Sequence, residues 1–318
     1  MERELSTTPA NASLPDPQAK TAGLPVHLAL VIVQIAFASQ AVEGKIAMLP
    51  RVSGGEEIAP ASIAMARMLG GTAFFMALYF GRKERPKLTR RDHVQLALLA
   101  ILGITLNQTL FLIGLKMTSA MGASLLSVTI PVSTAAVAVL AKKERPSLRL
   151  ALGLGIAVCG VLWLTGVHDF DRGALLVAAN SLSYAIYLVF SRDIVRKLGA
   201  LTVVAWIFLW GAIELSPVGL PSLLHDLPHF TARGAVLVFY IILMPTIVAY
   251  FCNAWALGKS SASLVTVYIY FQPAIAAVLA YVQLGQQISP RLAVAAVLIL
   301  IGVGIAATRK VQPVVTRA

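Results

Sequence analysis

The sequence predicts an all-α polytopic membrane protein, with ten transmembrane helices arranged as two inverted five-helix repeats. Three observations predict this fold class. The 318-residue chain is 58% hydrophobic and only 13% charged. Its apolar residues fall into ten segments, each close to the ~20 residues that a helix needs to cross a hydrocarbon core about 30 Å thick. The last five segments repeat the pattern of the first five, and because five is odd, the second copy must cross the membrane in the opposite direction.

The ten apolar segments are predicted to be helices and not strands of a barrel. Barrel strands would be shorter and would alternate strictly in polarity, which these segments do not. In lipid every backbone polar group must be satisfied within the protein, and helices satisfy this requirement. The predicted spans are residues 25–48, 59–81, 93–115, 119–141, 148–166, 171–191, 201–219, 233–257, 262–284 and 290–308.

The Lys and Arg residues are distributed unevenly about these spans. If the N-terminus is cytoplasmic, 19 of them fall on the cytoplasmic side and six on the other side, with Arg67 inside a span. This distribution follows the positive-inside rule, so we expect both termini in the cytoplasm and the protein in the inner or plasma membrane. We therefore assign the net charge of +12 to topology and to contacts with anionic lipid headgroups, and we predict no nucleic-acid partner.

The ends of the chain and its cysteines predict no further site. Residues 1–24 are polar, contain proline and carry mixed charge, so they are predicted to form a disordered cytoplasmic tail, and residues 309–318 a second one. Cys159 and Cys252 fall in apolar segments, where cysteines behave as small hydrophobes, so we expect neither a disulfide nor a metal site. The sequence has no nucleotide-binding loop, and we predict no cofactor.

An internal repeat appears when the chain is shifted by 142 residues and laid on itself. Pro131 then falls on Pro273, and Gly160 falls on Gly302. The Gly-x-Gly pairs at 153–155 and 302–304 lack a preceding strand, so we interpret them as small residues for close helix packing and not as dinucleotide-binding motifs. The two copies are predicted to cover residues 25–166 and 171–308.

A family resemblance rests on the segment from Asn107 to Gly160 and on its second copy from Asn253 to Gly302. Each segment has a helix that ends in a small-residue turn, a helix with a central proline, a polar turn and a glycine-rich helix. The chain resembles the drug/metabolite transporter superfamily, in its ten-helix branch with two EamA-type domains. It departs from the pattern in one turn, where Gln286-Gln287 stands in place of the first copy's Glu144-Arg145.

The resemblance implies a secondary transporter of small organic solutes. The family includes exporters of amino acids, nucleobase-type metabolites and cationic drugs, so export is implied by analogy alone. The predicted mechanism is alternating access, in which the two five-helix halves rock about a central cavity and the fifth and tenth spans lie at the periphery. The expected partners are the solute, membrane lipids and protons, and the chain is compatible with a monomer or a homodimer.

Two prolines, Pro131 and Pro273, fall near the middle of the fourth and ninth spans. A mid-helix proline removes a hydrogen bond and frees the carbonyl four residues earlier, which belongs to Ser127 in the first case. Freed carbonyls beside polar side chains predict a solute site or a hinge, although an ordinary packing kink is the alternative. The polar neighbours that we select are Ser127, Ser133, Tyr268 and Gln272.

Three charged residues, Glu43, Arg67 and Glu214, lie well inside predicted spans. Each costs about 2.5–3.5 kcal/mol near a helix centre on insertion scales. A rise of about 1.5 Å per residue places all three in the same half of the membrane. We therefore predict that Arg67 pairs with Glu43 or Glu214, either in contact with the solute or as a structural ion pair. Lys45 is predicted to extend its amine to the interface.

A stripe of aromatic residues marks the seventh span. Trp206, Trp210 and Glu214 recur every four residues and share one face of the helix. An aromatic wall that ends in a carboxylate suits an amphipathic or cationic solute. The alternative is that the two tryptophans face lipid or pack against other helices.

Polar side chains also share a face in the sixth span. Asn180, Tyr184, Tyr187 and Ser191 recur at helical spacing, and such a face would be costly against lipid. Tyr184 and Tyr187 are therefore candidates to line the cavity. Asn107 in the third span is a candidate to line the cavity or to bond across helices.

Two other function classes compete with transport. An intramembrane enzyme would need nucleophilic or metal-binding side chains at one depth, but the histidines lie at span ends or in loops, so we predict that the protein is not an enzyme. A non-transporting receptor or scaffold is harder to exclude, although the short loops leave little room for a partner-binding domain.

Overall fold

A computed structural model describes residues 23–143, 146–165, 171–257 and 268–307. Over these ranges the regular structure is helical, with no β-strand. The predicted tails lie outside the described residues, except for Gly23 and Leu24 at the end of the first one. The Glu144-Arg145 turn and the start of the predicted ninth span also lie outside them.

In these ranges the chain forms ten helical segments, which we number α1 to α10. They are α1 Leu24–Met48, α2 Pro60–Phe80, α3 Arg90–Met117, α4 Ala120–Leu140, α5 Leu148–Thr165, α6 Arg172–Leu198, α7 Ala200–Asp226, α8 (Ala232–Ile242, Leu243–Val248 and Ala249–Leu257), α9 Tyr268–Leu284 and α10 Pro290–Ala307. Short 3₁₀ turns follow α1 at Arg51–Ser53 and α7 at Leu227–His229.

Polar side chains fix the first turn of several helices. Thr89 accepts a hydrogen bond from the backbone N–H of Asp92, and the Asp92 carboxylate accepts one from the backbone N–H of Thr89, which forms a capping box before α3. Ser119, Asp171 and Thr231 accept backbone N–H bonds at the starts of α4, α6 and α8. These caps satisfy N–H groups that would otherwise lack partners at the membrane interface.

The lengths and composition of the helices fit a membrane protein. Seven of them are long and apolar enough to cross a membrane, and α5, α9 and α10 are shorter apolar helices. The predicted all-α polytopic membrane fold is therefore confirmed.

The packing of the helices is pseudo-symmetric between the two repeats. α5 packs against α10, and α2 against α7, so each of these helices contacts its own counterpart. α1 packs against α8 and α9 of the second repeat, and α6 packs correspondingly against α3 and α4 of the first. The first helix of each repeat thus belongs by packing to the other repeat, and the two sequential halves are not separate packing units.

Two glycines allow α5 and α10 to touch through their backbones. A Cβ atom added to Gly153 would lie 2.4 Å from the carbonyl oxygen of Gly302, and one added to Gly302 would lie 2.5 Å from that of Gly153. Gly155 and Gly304 face open space, with nothing within 4 Å of an added Cβ. Close packing therefore accounts for one glycine of each Gly-x-Gly pair and not for the other.

Lys45 places its amine at the end of a neighbouring helix, and its extension to the membrane interface stays a prediction. Its Nζ donates to the carbonyl oxygens of Leu115, Lys116 and Thr118 at 2.9, 2.7 and 2.7 Å. These carbonyls lie at the C-terminal end of α3, where a helix has acceptors without partners and a negative dipole end. The amine thus fastens α1 to the end of α3.

Polar bonds also join two connections on the side of the membrane where α1 ends, which we term the far side. The carboxylate of Asp226 accepts bonds from the Ala59 N–H at 2.8 Å and the Ser62 hydroxyl at 2.7 Å. Arg51 Nη2 donates to the carbonyl of His229 at 2.7 Å. The α1–α2 connection is therefore held against the end of α7 and the α7–α8 connection.

We predict that Gly153→Leu and Gly302→Leu each lower the free energy of unfolding by about 1–3 kcal/mol or more, because the added side chain forces α5 and α10 apart. Thermal unfolding of the purified protein in detergent measures the effect. Gly155→Leu and Gly304→Leu are the matched controls and should leave stability nearly unchanged. Equal destabilisation by the controls would contradict the assigned interface.

Candidate functional site

A buried arginine lies at the centre of the helical bundle. Arg67 in α2 is 1% exposed. Its Nε donates to the hydroxyl of Thr246 in α8 at 2.9 Å, and its Nη1 donates to the amide oxygen of Gln108 in α3. The guanidinium therefore joins three helices drawn from both repeats, and both partners are neutral.

The polar contacts continue from Gln108 across α3 to α6. Gln108 Nε2 donates to the amide oxygen of Asn107 at 3.3 Å, and Asn107 Nδ2 donates to that of Asn180. Asn107 therefore bonds across helices, one of the two roles predicted for it. The Arg67 network consists of Arg67, Thr246, Gln108, Asn107 and Asn180.

Two π-helical segments lie beside this network at corresponding places in the two repeats. One is Ile101–Thr105 in α3, and the other is Leu243–Val248 in α8. Thr246 of the second segment binds Arg67, and Thr105 of the first donates to the carboxylate of Glu214 in α7 at 2.7 Å. Each repeat thus presents a threonine from a π-helical segment to an ionisable side chain of α2 or α7, and π-helical turns are common at functional sites.

The predicted pairing of Arg67 with Glu43 or Glu214 is wrong. The Glu43 carboxylate accepts a bond from Gln283 Nε2 in α9 at 3.0 Å, and Glu214 is bonded to Thr105. Two side chains at the same depth in the membrane can occupy different faces of their helices, so depth alone does not predict that they pair. Arg67 faces α8 and α3, whereas Glu43 faces α9.

Three tyrosines form a second feature of the interior. The rings of Tyr184 and Tyr187 in α6 lie 5.5 Å apart, and Tyr250 in α8 packs against Phe208 and Phe37 at 5.3 and 6.0 Å. Tyr250 is within electrostatic range of Arg67 and of both other tyrosines. All three lie deep in the bundle yet keep accessible surface. We term Tyr184, Tyr187 and Tyr250 the tyrosine cluster.

The two mid-span prolines mark helix breaks and not kinks. α4 consists of Ala120–Ser127 and Ile130–Leu140, and Pro131 is the second residue of the latter part. In α9, Pro273 is likewise the second residue of the helix Gln272–Leu284, after a 3₁₀ turn. A proline in the first helical turn removes no required hydrogen bond, so each one starts a new helix. The two breaks correspond to each other in the repeats.

The polar side chains around the two breaks have separate partners. Ser127 donates to the carbonyl of Ala123 in its own helix at 3.1 Å. Gln272 Nε2 donates to the amide oxygen of Gln34 in α1 at 2.7 Å, and the Tyr268 hydroxyl lies 2.6 Å from His27 Nδ1. Ser133 is half-buried. Gln272 and Tyr268 thus bind α9 to α1, whereas the Arg67 network joins α2, α3, α6 and α8.

The aromatic stripe of α7 faces α3. Trp206 packs edge-to-face on His93 with ring centroids 4.5 Å apart, and Trp210 lies 6.3 Å from the same ring. His93 precedes Gln108 by 15 residues along α3, or about 22 Å at the helical rise. Trp210 therefore faces the first half of α3, before the Arg67 network, and Glu214 on the same stripe reaches the π-helical segment of α3.

Several residues of this interior were not identified from the sequence. They are Thr246, Thr105, Tyr250 and Gln34, which lie in spans that also hold other polar side chains. The available signal was that polar groups inside a membrane usually face the protein, but it does not distinguish these four from their polar neighbours. Within the described ranges, no group of three or more His, Cys, Asp and Glu side chains is placed to hold a metal ion.

Comparisons with known proteins agree with a transporter. An uncharacterized transporter, YdfC, of Bacillus subtilis is 30% identical over 239 residues, which cover 74% of this chain and 77% of that protein. An uncharacterized transporter of Archaeoglobus fulgidus is 26% identical over 297 residues, 90% of this chain and 98% of the relative. A probable terminal-alkyne amino-acid exporter of Streptantibioticus cattleyicolor is 26% identical over 223 residues, 69% of this chain and 74% of the exporter.

The fold is also found in a solved structure. A crystal structure with 18% sequence identity superimposes with a TM-score of 0.56 and covers 88% of this chain and 96% of its own. The family model described as EamA-like transporter family matches residues 24–166 and again residues 171–308. The resemblance to the drug/metabolite transporter superfamily is confirmed, and the chain belongs to the EamA-like transporter family.

Proposed function

We propose that the protein is a secondary transporter that exports a small organic solute across the inner or plasma membrane by alternating access. The observation that carries this proposal is the Arg67 network, which gathers a guanidinium, amides and a hydroxyl from four helices of both repeats. Helix breaks at corresponding positions of α4 and α9 support it, since broken helices around a central site are a recurrent feature of transporters. The network contains no paired nucleophile and base, which favours solute binding over catalysis.

The packing suggests which helices move together. α6 is bound to α3 and α4 by ion pairs from Lys197 to Asp92 at 2.6 Å and from Lys143 to Asp193 at 3.2 Å. α1 is bound to α9 by the Gln272–Gln34 bond and to α8 through the Tyr240 hydroxyl, which donates to Ser39 at 2.8 Å. The two moving units are therefore a bundle of α3, α4 and α6 and a bundle of α1, α8 and α9, in place of the two sequential halves.

Contacts between the two bundles favour a closed far side. The first part of α4 packs on α9, and the backbone N–H of Met121 points to the amide oxygen of Gln286 at 3.5 Å. If the termini are cytoplasmic, as the distribution of Lys and Arg predicts, the far side is external. A solute would then enter from the cytoplasm in this state, as export requires.

Glu214 is the residue that we assign to proton coupling. Its carboxylate is half-buried and accepts a bond from Thr105 in a π-helical segment that lies against the network. Protonation would change that bond and thus link the charge of Glu214 to the packing of α3. Glu43 is bonded to Gln283 near the far side, away from the network.

A cross-linking experiment tests the two bundles. Ser119 at the start of α4 and Gln287 after α9 line one cleft on the far side. We predict that Ser119→Cys with Gln287→Cys, joined by a short cleavable thiol cross-linker, stops solute flux in proteoliposomes, because the link holds the bundles together. Cleaving the link should restore the flux.

The matched control joins Lys143→Cys to Asp193→Cys, which lie within one bundle but in different sequential halves. This link should leave flux nearly unchanged. Block of flux by the control would show that the sequential halves, and not the two bundles, are the moving units. Absence of any solute flux in the unlinked protein, across amino acids, nucleosides and quaternary amines, would refute the transport proposal and favour a receptor or scaffold.

A second experiment tests coupling. We predict that Glu214→Gln abolishes the stimulation of flux by an imposed pH gradient, because the amide cannot exchange a proton. Flux is measured in proteoliposomes with and without the gradient. Glu43→Gln is the control and should retain the stimulation. Unchanged dependence on the gradient in Glu214→Gln would remove this residue from the coupling mechanism.

A further inference from the structure

The positive charge of Arg67 lacks a carboxylate partner in the part of the chain that the structure describes. Its hydrogen bonds there go to the Thr246 hydroxyl and the Gln108 amide, which are both neutral. A buried charge is costly unless it is paired as well as hydrogen-bonded. The two acidic residues inside the spans, Glu43 and Glu214, are bonded to other helices.

The guanidinium also has donor capacity to spare. An arginine carries five N–H donors in a planar fork, and the contacts to Thr246 and Gln108 use one at Nε and one at Nη1. These two contacts hold the group from α8 and α3. This leaves one N–H at Nη1 and two at Nη2, and Nη1 and Nη2 together form a fork that is suited to two parallel bonds to a planar carboxylate.

The tyrosine cluster provides a surface beside this charge. Tyr250 follows Thr246, which binds Arg67, by about one turn of α8, so the two side chains lie on the same side of that helix. Tyr184 and Tyr187 in turn interact electrostatically with Tyr250. Phe37 and Phe208 pack on Tyr250. Aromatic rings with hydroxyl groups can contact an apolar body and also donate hydrogen bonds.

The approach of α3 to this surface is close. A Cβ atom at Gly103 would lie 2.6 Å from the ring of Tyr187, so only glycine allows the two to pack in this way. Gly103 belongs to the π-helical segment of α3. Tyr187 of the tyrosine cluster is thus packed directly on the helix that also carries Gln108.

We propose that Arg67 is the residue that binds an anionic group of the solute, a carboxylate in the first instance, while the tyrosine cluster contacts the apolar body of the same molecule. This inference rests on the proposed function for the site and narrows its substrate class to carboxylate-bearing organic solutes. The bound anion supplies the negative charge that the described residues do not place beside Arg67. A solute without the carboxylate would leave the Arg67 donors unpaired, so the site should bind that solute more weakly.

Matched pairs of small molecules test the inference on the unmodified protein. The probes are L-phenylalanine with L-phenylalaninamide, and 3-phenylpropionate with 3-phenylpropanamide. Thermal stabilisation of the purified full-length protein in detergent is measured against the concentration of each probe. We expect the carboxylate member of a pair to bind about tenfold or more tightly than its amide, because the amide cannot accept two charge-assisted bonds. Equal or tighter binding of the amides would overturn the proposal.

Variants locate the effect at Arg67. Arg67→Gln should abolish the preference for the carboxylate, and Arg67→Lys should keep the preference with lower affinity because a lysine retains the charge without the fork. Arg90→Gln, at the exposed start of α3, is the matched control and should keep the wild-type preference. If Arg67→Gln does not fold, as judged by size-exclusion chromatography, the lysine variant and the wild-type probe pairs decide the question. An affinity for the carboxylate probes that is unchanged in Arg67→Lys would also argue against the assignment.

Flux measurements separate this inference from the transport proposal. If the protein in proteoliposomes moves neutral or cationic solutes and neither binds nor moves the carboxylates, Arg67 does not bind the anion, although the protein is a transporter. If the carboxylates bind through Arg67 and no solute crosses, the transport proposal fails and the anion site remains.

Discussion

A guanidinium held by neutral partners in the middle of a membrane protein is the constraint on which the interior depends. Moving a charge out of water costs several kcal/mol even after relaxation, so the surrounding helices must supply hydrogen bonds at fixed positions. Arg67 obtains them from Thr246 and Gln108, and Gln108 leads through Asn107 to Asn180. This single requirement ties together α2, α3, α6 and α8, the helices that surround the centre.

The two repeats share one local arrangement but place different ionisable side chains in it. Each has a π-helical segment in its third helix, and a threonine of each segment binds an ionisable side chain. In one case the partner is the cation Arg67, and in the other it is the anion Glu214. Pro245 explains the irregular turn in α8, because a proline cannot donate the usual helical bond. The π-helical segment of α3 contains no proline and packs at Gly103 against Tyr187.

α1 and α6 each pack against the other repeat, and these contacts hold the two repeats together. Each of these helices packs on two helices of the other repeat, so neither repeat can separate from the other without breaking buried contacts. α5 and α10 contribute differently, since their backbones meet at Gly153 and Gly302. A pseudo-symmetric structure of this kind has packing units that do not coincide with the order of the chain.

Hydropathy, charge distribution and the odd number of spans per repeat determined the fold class from the sequence alone, because the bilayer imposes length and polarity on every crossing. Arg67, Pro131 and Pro273 could also be singled out from the sequence, because a charged residue or a proline is unusual inside an apolar helix. The tertiary structure alone decided their partners: Arg67 binds neutral groups, Lys45 caps α3, and the prolines start new helices. Such outcomes depend on which face of each helix meets which neighbour, and a linear pattern of apolar residues does not contain that information when nearly every face is apolar.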